Sequence, residues 1–70
     1  MSSKIIGERL RTLREGIGKT QAFIASEIGT VAQSAIFRYE SGQSDVSNAI
    51  LLWYADYFDV SLDYIFGRTD

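Results

Sequence analysis

The sequence predicts an all-α domain built from five short helices. Two observations favour this class: apolar residues recur at helical spacing, and Gly, Ser and Thr stand between the apolar segments, where helix ends need them. A third is the lack of any run in which apolar and polar residues alternate as they do in a half-buried strand. A length of 70 residues suits one domain, so we expect residues 1–70 to fold as a single unit.

The first helix is predicted over residues 4–15. It is amphipathic, because four apolar side chains fall on one face: Ile6, Leu10, Leu13 and Ile17. Ser2 or Ser3 can cap its start, and Gly16 and Gly18 end it.

The second helix is predicted from Gln21 to Ile28, with Thr20 as its N-cap and Gly29 just past its end. Ile24 and Ile28 form one apolar seam, with Ala25 beside it.

The third helix is predicted over about residues 31–40. Thr30 and Gln33 have the spacing of a capping box, in which each side chain bonds a backbone amide of the other residue. Ile36 and Tyr39 face inward, and the helix ends near Ser41 and Gly42.

Ser47 caps a fourth helix that runs to about Phe58, and Ser61 caps a short fifth helix that Gly67 closes. The fourth helix is apolar all round. We expect its core side to be Leu51, Leu52, Ala55 and Phe58. The other large side chains predict a dimer interface, since one stripe cannot bury them all: Ile50, Trp53, Tyr54 and Tyr57. The alternative is an aromatic-rich core that wraps around the helix.

The composition argues against several functions. The chain has no Cys and no His, so it lacks disulfides, the commonest metal ligand and the commonest general base. We therefore expect no enzyme activity, no metal and no cofactor. No apolar run reaches the roughly 18 residues of a membrane span, and the start does not read as a signal peptide, which predicts a cytoplasmic protein with no membrane partner.

Charge is distributed unevenly along the chain. Residues 1–40 hold six basic and four acidic residues, whereas residues 41–70 hold one basic and five acidic residues. One end of the molecule could therefore face phosphate although the net charge is −2. A mixed, solvated surface explains the same distribution.

Two short helices joined by a tight glycine turn are what a helix-turn-helix requires. Ala25 is small enough for the helices to cross closely, Gly29 tolerates a positive φ, and Ile36 fills the angle between them. An ordinary helical hairpin would show the same pattern.

Three segments, in the same order, resemble the Cro/cI-type repressors, also called the XRE family. They are Thr20–Thr30 (TQAFIASEIGT), Ser34–Gly42 (SAIFRYESG) and Val60–Gly67 (VSLDYIFG). The resemblance implies a lambda-repressor-like DNA-binding domain with its helix-turn-helix at helices 2 and 3. It also implies a transcriptional regulator, expected to be a repressor, that is encoded by a bacterium or phage. Such a protein would bind a near-palindromic double-stranded DNA operator as a homodimer, through the fourth and fifth helices.

The family's base-contacting positions fall on Gln33, Ser34, Phe37 and Arg38, with the third helix in the major groove. Gln33 suits adenine, and Arg38 suits guanine or a phosphate. Phe37 could contact thymine methyl groups or pack within the protein. Gln33 could instead only cap the helix, and Arg38 could be a solvated charge.

The resemblance also implies phosphate contacts and one structural ion pair. Thr20 and Gln21 match phosphate-clamping positions, although capping alone could explain them. The other candidate phosphate contacts are Lys19, Arg11, Ser41 and Gln43. Asp45, in the loop after the third helix, would repel a phosphate that it faced. Arg14 and Glu40 match an ion pair that orients the third helix.

A second hypothesis is a protein-interaction module on the same fold, such as an anti-repressor or an antitoxin-like partner. The acidic second half of the chain and the aromatic fourth helix favour it. It would need no DNA contact from Gln33 or Arg38.

Overall fold

A computed structural model describes residues 3–68, and these form five helices. They are α1 (Ser3–Gly16), α2 (Gln21–Ile28), α3 (Gln33–Ser41), α4 (Asn48–Phe58) and α5 (Leu62–Ile65). No strand occurs over that range, so the predicted all-α, five-helix class is confirmed. Within the same range, no helix combines the length and the apolar character that crossing a membrane requires.

Hydroxyl side chains cap three of the helices. Thr20 Oγ1 accepts a hydrogen bond from the Phe23 amide at 3.0 Å, and Ser47 Oγ accepts from the Ile50 amide at 3.3 Å. Ser61 Oγ accepts from the Tyr64 amide at 3.0 Å. These three caps were predicted, and they fix where α2, α4 and α5 begin. The alternative cap Ser2, predicted for α1, lies outside the described residues.

The core lies where α1, α2 and α4 meet α3 and α5. Its buried apolar members are Ile6, Leu10, Ile24, Ala25, Ile36, Ile50, Leu51, Tyr54 and Ile65. Ile17, predicted on the inner face of α1, is 45% exposed, so that prediction was wrong. The helix ends at Gly16, and the turn that follows carries Ile17 away from the helical register.

A close approach between α1 and α3 depends on Gly7. A Cβ at this position would lie 2.3 Å from the carbonyl oxygen of Tyr39 and 2.7 Å from that of Glu40. Real side chains do not come that close to backbone, so only glycine lets α1 cross the last turn of α3 here. This requirement was not foreseen from the sequence.

The start of α3 differs from the prediction. The helix begins at Gln33 rather than near residue 31, and its N-cap is Ala32, which supplies no side-chain hydrogen bond. The Thr30–Gln33 capping box does not form. The Gln33 side chain instead reaches α2 and donates to Gln21, which competes with the local contact.

The predicted faces of α4 need two corrections. Ile50 and Tyr54, expected at a dimer interface, are 8% and 0% exposed and belong to the core of the monomer. Leu52, expected in the core, is 52% exposed. Because α4 is apolar on every side, its pattern could not indicate which side turns inward.

Candidate nucleic-acid interface

The α2 and α3 helices are joined by a short turn that starts at Gly29. This glycine has a φ of 85°, in the left-handed region, and its amide donates to the Ala25 carbonyl at 2.9 Å. Ala25 is 7% exposed and Ile36 is fully buried between the two helices. The turn and these two side chains set α3 at a fixed angle to α2, with one face of α3 directed outward.

The outward face of α3 carries the four side chains that the sequence predicted as base-contacting. Gln33, Ser34, Phe37 and Arg38 are all exposed, whereas Ile36 and Glu40 on the opposite face are buried. Phe37 is 50% exposed and therefore does not pack within the protein, which was one of its two predicted roles. A large apolar ring thus stands in solvent between a glutamine and an arginine.

An ion pair holds the buried face of α3 against α1. Arg14 Nε lies 2.7 Å from Glu40 Oε2, and Arg14 Nη2 lies 2.9 Å from Glu40 Oε1. The Glu40 side chain is only 3% exposed, and the hydrogen bond with it raises the pKa of Arg14. Arg14 Nη1 also donates to the Lys19 carbonyl at 2.8 Å. One guanidinium therefore fixes α3 and the α1–α2 turn together.

Two glutamines extend this ion pair to the protein surface. Gln21 Nε2 donates to Glu40 Oε1 at 3.0 Å, and Gln33 Nε2 donates to Gln21 Oε1 at 2.7 Å. The sequence singled out both glutamines, but not their bond to each other, because residues 12 positions apart carry no helical spacing signal. Gln21 and Gln33 thus form the junction between the amino-terminal ends of α2 and α3.

The predicted phosphate-contacting residues differ in how they are held. Thr20 caps α2, and the Lys19 ammonium lies over the Phe23 ring, 4.9 Å from its centre. Arg11 pairs with Glu15 at 3.0 Å while its side chain stays 62% exposed.

The last turn of α3 and the loop after it carry the other two candidates. Ser41 Oγ donates to the Arg38 carbonyl at 3.3 Å, and the exposed Gln43 follows the helix. These groups lie on the surface, so a ligand can reach them.

Several of the candidates converge on one open concavity of about 210 Å³. Its lining residues are Arg11, Arg14, Gln21, Phe37, Glu40 and Ser41. Arg11, Gln21, Phe37 and Ser41 are therefore brought together, whereas Lys19 and Gln43 lie outside it. The concavity brings a positive charge and an aromatic ring next to the outward face of α3.

Asp45 is turned toward α1 rather than left free in the loop. Its Oδ1 accepts a short hydrogen bond from Ser3 Oγ, in the first turn of α1. A carboxylate at a helix amino terminus complements the helix dipole. The acidic residue in the loop after α3 therefore has a structural partner.

A second exposed feature lies on α4 and is called here the α4 apolar surface: Leu52, Trp53 and Tyr57. Leu52 is 52% exposed and Tyr57 is 41% exposed, and the Trp53 and Tyr57 rings stack at 4.6 Å. The Tyr57 hydroxyl donates to Glu27 Oε1 at 3.0 Å, which ties this surface to α2.

Comparison with known proteins identifies similar sequences and folds. A helix-turn-helix family model matches residues 10–65. The chain is 40% identical over 63 residues to the cryptic phage CTXphi transcriptional repressor RstR of Vibrio cholerae serotype O1, covering 90% of this chain. It spans 55% of the length of that relative. The solved S. venezulae BldD DNA-binding domain has a similar fold, with a TM-score of 0.76 and 23% identity over 91% of this chain and 94% of that one.

Proposed function

The chain belongs to the helix-turn-helix family of the Cro/cI type, and from that membership we propose that it represses transcription by binding double-stranded DNA sequence-specifically as a homodimer. The relative RstR is a transcriptional repressor by name, and the fold is shared with a DNA-binding domain. Because the target is bacterial or phage DNA, the proposal includes a cytoplasmic location.

The observation that carries the proposal is the outward face of α3. Four side chains there are exposed and make no contribution to the core: Gln33, Ser34, Phe37 and Arg38. Their chemistry suits base edges in the major groove, since glutamine pairs with adenine, arginine with guanine, and a phenyl ring with thymine methyl groups. A recognition helix contacts base edges with its N-terminal residues, and Gln33 and Ser34 are the first two residues of α3.

Phosphate contacts are proposed on both sides of that face. Thr20 and Gln21 stand at the start of α2, where backbone amides favour an anion, and Ser41 and Gln43 stand at the end of α3. Only two of the proposed phosphate-contacting residues, Arg11 and Lys19, carry a positive charge. Since each neutralised phosphate adds about 0.9 to the salt slope, binding should depend only weakly on salt, and one protomer should bind with modest affinity.

Dimerisation is proposed through the α4 apolar surface. Leu52 and Tyr57 are about half exposed, and covering them in a dimer would stabilise this domain of 70 residues. Aromatic side chains such as that of Tyr57 are also enriched at interface cores. A two-fold dimer would set two α3 helices about 34 Å apart, which requires a near-palindromic operator.

Selection of bound sequences from a random duplex pool tests the proposal. We expect a two-fold symmetric motif with half-sites about one helical turn apart. The double variant Gln33→Ala and Arg38→Ala should fold and lose that motif, while Asp63→Asn on α5, an exposed control, should keep it. A folded wild-type sample that enriches no sequence at low salt would contradict DNA reading. That result would favour a protein-interaction module instead. The observation that supports this alternative is the exposed Phe37 ring, an apolar group that a protein partner could cover.

A further inference from the structure

We propose that Glu40 is a positioning residue for base recognition: its carboxylate sets, through Gln21, which way the Gln33 side-chain amide faces. Glu40 itself is 8% exposed and lies on the inner face of α3. This inference rests on the proposed DNA binding and assigns the adenine preference of Gln33 to a residue in the core.

The first step is that a carboxylate can only accept hydrogen bonds. The two oxygens of Glu40 accept hydrogen bonds from the Arg14 guanidinium, at 2.7 Å and 2.9 Å, so both oxygens act as acceptors. The Gln21 side-chain atom 3.0 Å from Glu40 Oε1 must then be the nitrogen, because an amide oxygen there would face another acceptor. The ion pair thus excludes one of the two orientations of the Gln21 amide.

The second step passes this orientation to the surface. With its nitrogen toward Glu40, Gln21 turns its oxygen toward α3, where it lies 2.7 Å from the Gln33 amide. An oxygen acceptor requires a donor, so the Gln33 nitrogen is the atom that faces Gln21. Gln33 is left with its Oε1 and one Nε2 hydrogen free for a ligand.

The remaining pair of groups matches one base. Adenine offers its N6 amino group to an acceptor and its N7 to a donor, which is the pairing that Gln33 can still make. If the Gln21 amide turned over, it would present its nitrogen to Gln33 Oε1 and leave both Gln33 hydrogens outward. Two donors suit the N7 and O6 of guanine or the O4 of thymine.

The contacts at the start of α3 explain why an external constraint is needed. Its N-cap, Ala32, provides no side-chain bond, and the exposed Gln33 side chain has Gln21 as its one hydrogen-bond partner within residues 3–68. Exposure decreases stepwise from Gln33 at the surface through the half-buried Gln21 to the buried Glu40. The orientation of a surface amide is therefore decided by a carboxylate whose side chain is only 3% exposed.

A nuclear magnetic resonance experiment tests the relay without DNA. The side-chain amides of Gln21 and Gln33 are assigned with Gln21→Met and Gln33→Ala. We expect the Gln33 amide to have an order parameter near 0.8 in the wild type, as a rigid group does, and below about 0.6 in Glu40→Gln, where both orientations are allowed. A Gln33 amide in Glu40→Gln that is equally rigid and keeps the wild-type chemical shifts of its Nε2 hydrogens would overturn the relay.

Selection from random duplex pools tests the effect on recognition. The base pair read by Gln33 is the one whose preference disappears in Gln33→Ala. At that pair, we expect the wild type to favour adenine about tenfold or more. We expect Gln21→Met and Glu40→Gln to reduce the preference to about threefold or less, with guanine and thymine gaining. Gln21→Met leaves the ion pair in place, so it remains informative if Glu40→Gln does not fold.

The control is Arg14→Lys, which weakens the ion pair but keeps the Glu40 carboxylate. It should retain the adenine preference within about twofold while lowering overall affinity. If Arg14→Lys lost the preference as fully as Gln21→Met, Glu40 would act only by orienting α3, and the inference would be wrong. If the wild type enriched no sequence, the proposed function would fail, and the amide measurement would still decide whether Glu40 holds Gln33.

Discussion

Gly7 of α1 lies against the end of α3, where a Cβ would be 2.7 Å from the Glu40 carbonyl oxygen. The two helices can come this close only because residue 7 has no side chain. The same crossing brings Arg14, two turns further along α1, within reach of the Glu40 carboxylate. The position of α3 on the domain therefore depends on a missing methyl group as well as on an ion pair.

Gly7→Ala should lower the free energy of unfolding by about 1–3 kcal/mol, because the methyl group would overlap two backbone oxygens. Gly16→Ala is the control, since a Cβ there meets nothing within 4 Å. It should be neutral or up to about 1 kcal/mol stabilising. Urea unfolding followed by circular dichroism compares the two. Equal midpoints would mean that α1 and α3 can separate without cost.

Arg14→Ala should destabilise the fold by about 3–5 kcal/mol, because it leaves the buried Glu40 carboxylate without its partner. That is a large part of the stability of a domain this size, so much of the variant should be unfolded at 37 °C. Arg11→Ala breaks the exposed pair with Glu15 and should change stability by less than about 0.5 kcal/mol. Thermal unfolding measures both, and similar losses in the two variants would contradict a special role for the buried pair.

Tyr54→Phe should stabilise the protein by about 1 kcal/mol or leave it unchanged at pH 7. The Tyr54 hydroxyl is buried and has no hydrogen-bond partner within residues 3–68, so it contributes only a desolvation cost. Tyr57→Phe is the control, because it removes an exposed hydroxyl that is bonded to Glu27. A loss of more than about 1 kcal/mol in Tyr54→Phe would show that the hydroxyl is bonded in solution.

Tyr54 also predicts that the free energy of unfolding decreases at alkaline pH. Burial raises the pKa of Tyr54 well above its ordinary value of 10.0, and the nearby Glu40 charge raises it further. The unfolded chain therefore loses the Tyr54 proton near pH 10 while the folded protein still holds it, so stability falls as the pH rises from 10 toward the folded pKa. Stability should fall by up to about 1.4 kcal/mol per pH unit in that window, and less steeply in Tyr54→Phe. Urea unfolding at pH 9 to 11 would measure the slope, and identical slopes would contradict the assignment.

Arg38→Ala should weaken binding to the selected operator by about 1–3 kcal/mol, with the loss confined to one base pair. Arg38 is exposed on the outward face of α3, so the variant should fold normally. Titrations against single-base operator variants measure the effect. A uniform loss on every sequence, with a smaller salt slope, would mean that Arg38 contacts a phosphate instead.

Leu52→Lys should weaken self-association about tenfold or more while leaving the helical content unchanged. The side chain is 52% exposed, so a charge disturbs a partner rather than the core. Ile17→Lys, at a 45% exposed apolar site in the α1–α2 turn, is the control and should associate like the wild type. Sedimentation equilibrium at micromolar concentration measures both. An unchanged dimer in Leu52→Lys would place the interface elsewhere.

The features that could be predicted from the sequence are those with a local cause. Thr20, Ser47 and Ser61 cap helices through bonds to amides three residues away, and these bonds depend little on the rest of the fold. The Thr30–Gln33 box is equally local, yet it failed because a long-range partner, Gln21, bound the Gln33 side chain.

The features that could not be predicted depend on packing. Ile50, Leu52 and Tyr54 belong to a helix that is apolar all round, so spacing could not separate its inner from its outer side. The role of Gly7 depends on where α3 ends in space, which nothing in its neighbouring sequence encodes. The same holds for the candidate site. Its residues could be predicted from the sequence, but the hydrogen bonds that join Gln33 to Gln21 and Gln21 to Glu40 could be seen only in the folded structure.

The two faces of α3 are subject to separate constraints, and this has a consequence for divergence among relatives. Ile36 and Glu40 are bound by packing and by charge, whereas Ser34, Phe37 and Arg38 touch little of the protein. Related proteins can therefore differ at these exposed residues while keeping the same core and the same ion pair. Gln33 is the exception, because changing it also leaves the Gln21 side-chain oxygen without its donor. A lineage that alters Gln33 should therefore show a matching change at Gln21.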